Sequence, residues 1–109
     1  MIKWYHTLYV DEKLEKNLDK IIEKLENEKL TFRVFCIALA SNSQNMLDII
    51  DANELLFKHY KRNEICILGL ARTRENAISL VVKIIEEVYK KTNDVKIREY
   101  FKEKEFGIR

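Results

Sequence analysis

The sequence predicts a small mixed α/β domain, an α+β two-layer arrangement of one sheet and its helices, and three observations predict it. Ile65 to Ala71, ICILGLA, is an unbroken apolar run with β-branched residues, which fits a strand buried on both faces. The polarity switches at once to RTREN and then opens a long amphipathic stretch that ends near Thr92. Upstream, Ile2 to Val10 and Thr31 to Ala40 are strand-like segments separated by a segment of helical spacing.

In chain order, Ile2 to Val10 alternates, with Ile2, Trp4, His6, Leu8 and Val10 on one face and Lys3, Tyr5, Thr7 and Tyr9 on the other. Asp11 is placed to cap a helix in which Leu14, Leu18, Ile21, Ile22 and Leu25 form a narrow apolar stripe. Thr31 to Ala40 is the second strand, with Phe32, Val34, Cys36 and Ala38 facing one way and Phe35, Ile37 and Leu39 the other. SNSQN, Ser41 to Asn45, is a polar turn. Met46 to Ile50 then reads as a strand returning in a hairpin, and the competing reading makes Met46 to Arg62 one helix. Asp51 favours the hairpin, because it suits a helix cap better than a helix interior. A short helix follows, with Asn63 placed to end it. Gly69 inside the Ile65 strand marks a close approach of backbone.

Thr73 is the predicted N-cap of the long helix, with Glu75 in its first turn. Ala77, Val81, Ile84 and Val88 form one stripe, and Ile78, Val82, Ile85 and Tyr89 form a second beside it. Thr92-Asn93 ends the helix, Asp94 caps a last short one, and residues 102–109 read as a mobile tail. This succession has the βαββαβ order of a ferredoxin-like sheet followed by a long and a short helix. The alternative drops the Met46 strand and gives a small βαβαβα parallel sheet.

The chain has 109 residues, 47% of them hydrophobic, with no proline and two glycines, which points to a single domain over 1–109 without linkers. Lys and Arg total 20 against 18 Asp and Glu, a net charge of +2, so no overall field draws the chain to nucleic acid or an anionic membrane. No apolar run approaches the ~20 residues needed to cross a bilayer. The N-terminal MIKWYHTLYVDEK lacks the apolar core and cleavage site of a signal peptide. Cys36 and Cys66 both lie within apolar runs and read as reduced, buried residues of a cytoplasmic protein.

Chemical signatures are sparse. Cys36, Cys66, His6 and His59 have no partner at metal-ligand spacing, so no metal or cofactor is expected. No serine or threonine sits in a nucleophile elbow, and no phosphate-binding glycine loop is present. Tyr5 and Tyr9 share a strand face as in RNA-binding sheets, but the accompanying signature is missing. The sharpest candidate is the turn Arg72, Thr73 and Arg74, where a helix N-terminus and two guanidinium groups meet. It could hold a phosphate or carboxylate, joined by Ser41 and Asn42 of the SNSQN turn if the Thr31 and Ile65 strands are parallel and bring that turn to the same sheet edge.

The phrases ALASNSQNMLDII, ANELLFKHYKR and ICILGLARTRENAISLVVKIIEEVYKKT, with REYF near the end, resemble a family of small uncharacterised bacterial proteins of about this length. The likeness begins at Tyr9-Val10-Asp11-Glu12 and includes the Gly69-Leu70-Ala71 turn, with Asn76 standing where the family has a second acidic residue. It implies one cytoplasmic domain and assigns no functional residue. The functional expectation is a non-catalytic binding or protein-interaction module that self-associates as a homodimer. Its apolar sheet face, Phe35, Ile37 and Leu39 with Cys66, Leu68 and Leu70, is to be covered by the long helix or by a second copy. The alternative is a sensor or enzyme domain for a small anionic ligand at Arg72–Arg74.

Overall fold

A computed structural model describes residues 2–39, 46–57, 64–101 and 105–107. Strand β1 (Ile2–Val10) leads through a 3-10 turn, Glu12–Asn17, into α1 (Leu18–Glu26). Strands β2 (Phe35–Leu39) and β3 (Leu47–Asp51) form an antiparallel hairpin, so the hairpin reading of Met46 to Ile50 holds. A second 3-10 turn, Ala52–Leu56, follows, and Asp51 caps it by accepting the Asn53 N–H at 3.0 Å. Then come β4 (Ile65–Ala71), α2 (Arg74–Thr92), α3 (Ile97–Tyr100) and β5 (Phe106–Gly107). The expected Asn63 helix end lies outside the described residues.

The product is a mixed α+β domain on a five-stranded sheet ordered β3-β2-β4-β1-β5. A ferredoxin-like sheet is antiparallel throughout, whereas here β1 and β4 pair in parallel at its centre. The wholly parallel alternative is excluded as well, because β2 runs antiparallel to both β3 and β4. Succession along the chain does not specify which strand β1 joins, and that pairing is where the sheet departs from expectation.

The chain leaves β1 towards one face of the sheet and β4 towards the other. On the first face, Ile21, Ile22 and Leu25 of α1 pack with Trp4, Cys36 and Ile67. The indole N–H of the buried Trp4 donates to Glu26 Oε1 at 2.9 Å, so the aromatic ring enters this core without an orphaned donor. On the second face, Ala77, Ile84 and Val88 of α2 pack with Ile37 and Leu68. Each such Ile or Leu contributes about 1.5–3 kcal/mol on burial, so the inner stripe of α2 anchors the helix firmly. Thr73 caps α2, its Oγ1 accepting the Asn76 N–H at 3.0 Å, and Asn93 ends it in the left-handed conformation at φ 57°.

Several expectations need correction. The second strand starts at Phe35 rather than Thr31: Arg33 takes a left-handed φ of 50°, and Phe32 is 74% exposed. Thr31 is instead tied to the turn after β3, exchanging two hydrogen bonds with the Asn53 side-chain amide. Gly69 does mark a close approach, because a Cβ there would stand 2.6 Å from the Tyr9 carbonyl oxygen. The strand shifts register at this residue, which turns Leu70 to the α1 face and away from Leu68. Of the two covers expected for this sheet face, the long helix or a second copy, it is the helix α2 that covers it, with Ile37 and Leu68 fully buried. In β1, Tyr5 to Leu8 stand opposite Leu68 alone, and this bulge leaves His6 exposed instead of in the core. Cys36 is buried but Cys66 only half so. In the tail, Phe106 is buried and pairs with Tyr5 in β5, while residues 102–104 and 108–109 lie outside the described set.

Candidate functional site

Parallel neighbours whose chains depart to opposite faces create a crevice at their carboxyl ends, the usual ligand position in open α/β sheets. Here β1 and β4 are that pair, and the crevice holds the chain's own carboxylate. Asp11, the residue after β1, accepts the Arg72 N–H at 3.0 Å and the Asn76 side-chain amide at 2.7 Å through Oδ2. Its Oδ1 accepts the Lys13 N–H at 3.2 Å, which caps the first 3-10 turn. Burial raises the carboxyl's pKa, but the Arg72 and Lys13 amides and the Asn76 side chain outweigh that and hold it below the ordinary value. One side chain thus joins the end of β1, the first helical layer and the start of α2.

The predicted anion-binding residues lie around this carboxylate. The Arg72 guanidinium donates to the Phe32 carbonyl oxygen at 2.8 Å, and the Arg74 guanidinium lies 5.7 Å from the centre of the Phe35 ring. Thr73 uses its hydroxyl oxygen as the helix cap. Ser41 and Asn42 lie outside the described residues. An external anion at this turn therefore meets a backbone N–H already taken by Asp11 and two guanidinium groups already in contact with the protein. Asp11 was legible as a helix cap, but its reach to residues more than sixty positions away was not.

Beside the crevice, a cleft of about 740 Å³ runs along β1 between the two helical layers. Its floor is Tyr5, Thr7, Leu8, Tyr9 and Val10 of β1, one wall carries Glu15 and Leu18, and the other carries Leu80, Lys83, Glu87 and Lys91 of α2. The rings of Tyr5 and Tyr9 stack with centroids 6.2 Å apart, and the Tyr9 hydroxyl donates to Glu87 Oε2 at 2.7 Å. Burial and then this carboxylate push the Tyr9 phenol well above its ordinary pKa, so it stays a neutral donor. Lys91 is held above its ordinary value by the Tyr100 hydroxyl.

The opposite flank of α2 is apolar. Ile78 is 49% exposed, Val82 50% and Tyr89 55%, with Ile85 half-buried between them. The sequence identifies this stripe, but its spacing cannot say that α2 turns the other stripe inward. Among the described residues no group of three His, Cys, Asp or Glu side chains is placed to hold a metal ion. No helix among them is long and apolar enough to cross a membrane.

Comparison with family models, curated proteins and solved structures found no match to this chain.

Proposed function

We propose that the protein is a non-catalytic interaction module that forms a homodimer, with the outer stripe of α2 as its contact surface. The observation that carries this reading is the exposure of Ile78, Val82 and Tyr89 on a helix whose other apolar stripe is already buried. Ile78, Val82, Ile85 and Tyr89 follow one another at steps of four, three and four, the spacing of a seam that receives another helix. In an antiparallel, twofold arrangement Ile78 meets Tyr89 of the second copy, and Val82 meets Ile85. Glu75 then lies near the second copy's Lys90, whereas a parallel pair would set Glu75 against Glu75 and Glu86 against Glu86. The Arg72 N–H is taken by Asp11, the Arg72 guanidinium by the Phe32 carbonyl oxygen and the Thr73 hydroxyl oxygen by the Asn76 N–H, which favours this reading over a ligand-sensing or enzymatic one at the same turn. The same proposal places the chain in the cytoplasm, on its two free cysteines, and with the bacterial family it resembles.

The contact is small. The exposed parts of four side chains amount to roughly 300 Å² per copy, below the ~800 Å² per partner of a stable interface. The dimer is therefore reversible, with a Kd of roughly tens to hundreds of micromolar. Sedimentation equilibrium from about 10 µM to about 1 mM, a range that brackets this Kd, tests it. The average mass of the parent should rise with concentration, and Val82→Glu should remain monomeric with an unchanged melting temperature. A parent that stays monomeric throughout, or a Val82→Glu variant that associates equally well, refutes the proposal.

A further inference from the structure

The cleft along β1 lies on the flank of α2 away from the apolar stripe, and a second ligand chemistry points to it. Strand β5 pairs with β1 only at Trp4 and Tyr5, and among the described residues no strand lies beside His6 to Val10 on that edge. The Asp11 N–H donates to the Leu70 carbonyl oxygen on the β4 side, so strand alternation turns the Val10 N–H and C=O to the open edge. Opposite β4, the bulge from Tyr5 to Leu8 faces Leu68 alone, so most backbone groups of this stretch have no ladder partner there. A floor of backbone donors and acceptors between two walls suits an extended chain, whose own backbone supplies the complementary row.

We infer that this cleft docks an extended peptide segment of a partner protein, added as a strand to the outer edge of β1, with acidic and apolar side chains in alternation. Among the described residues, His6 to Val10 offer an edge of about 16 Å, enough for four or five peptide residues. Side chains of an added strand alternate between the two walls. Those turned to α2 meet the ammonium group of Lys83, with Lys91 beside it held by the Tyr100 hydroxyl, while Glu87 on that wall is already engaged by the Tyr9 hydroxyl. Lys83 makes no ion pair among the described residues, so this wall presents positive charge to an incoming carboxylate. Those turned to the other wall meet Leu8, Val10 and Leu18, an apolar lining with Glu15 beside it. A second copy of this chain does not fit, because β1 is recessed between its own walls and two recessed edges cannot meet.

Panning a random heptapeptide phage library on the full chain tests the assignment. Enriched sequences should lack proline and alternate acidic with apolar residues over at least four positions. Synthesised representatives should bind Lys83→Glu at least about tenfold more weakly than the parent, a loss of about 1.4 kcal/mol. N-methylation of the peptide backbone should abolish binding, whereas Val82→Glu, on the other flank of α2, should leave it unchanged. Lys83 is exposed, so that variant should melt with the parent; if it does not, Lys91→Glu replaces it. Failure to enrich any sequence, or peptides indifferent to both the lysine substitution and N-methylation, overturns the inference.

Discussion

Replacing Asp11 with alanine removes three hydrogen bonds that join separate parts of the fold, to the Arg72 N–H, the Asn76 amide and the Lys13 N–H. Bonds to a charged acceptor contribute about 1.5–3 kcal/mol each when buried, but Asp11 is partly open to water, so about 0.5–1 kcal/mol each is appropriate. The expected loss is therefore about 1.5–3 kcal/mol, or roughly 6–13 °C in melting temperature for a domain of this size. The sign with pH follows from the depressed pKa. The stabilisation is complete above the carboxyl's ordinary value of 3.8 and is lost as the pH falls through its lower value in the folded protein. Urea titrations of parent and Asp11→Ala at pH 7 should thus differ by the full amount, and the difference should shrink as the pH falls below the ordinary value of 3.8. A difference below about 0.5 kcal/mol at pH 7, or one that persists undiminished in acid, would refute the assignment of Asp11 as the tie between β1 and α2.

Three further outcomes follow from the packing. Gly69→Ala puts a methyl group 2.6 Å from the Tyr9 carbonyl oxygen, so β1 must shift and stability should fall by about 1–3 kcal/mol in urea titration. A neutral result would mean the strands are not this close. Ile84→Ala empties a fully buried site in the α2 core and should cost about 2–5 kcal/mol, and a loss under about 0.5 kcal/mol would contradict the helix orientation. Cys36 is buried and its thiol is pushed up to about 12, chiefly by desolvation, so a thiol reagent at pH 8 should label half-buried Cys66 first and Cys36 only on unfolding. Rapid labelling of both would contradict the burial of Cys36.

Local signals were legible where the chemistry is local. Thr73, Asn93 and Asp51 each end or cap an element through neighbours within four residues, and their types announce it. Gly69 was legible because an apolar strand gains nothing from a glycine unless another backbone comes close. What escaped depends on partners distant in sequence. The bulge that exposes His6 arises from how β1 matches β4, not from any residue within Tyr5 to Leu8. Phe106 was lost in a charged tail because two strand residues carry no periodicity, although its ring packs 5.6 Å from that of Tyr5. The candidate anion turn was located at a true strand crossover, yet the carboxylate that fills it comes from Asp11, which composition alone assigns to the first helical layer.

The claim that α2 is an interaction helix is tested most directly by amide chemical shifts of the parent at about 20 µM and about 1 mM, on either side of the expected Kd. Concentration-dependent shifts should centre on Ile78, Val82, Ile85 and Tyr89, with the amides of His6 to Val10 along the β1 cleft unmoved. Spectra that superimpose at the two concentrations, or shifts confined to the β1 cleft, would contradict it.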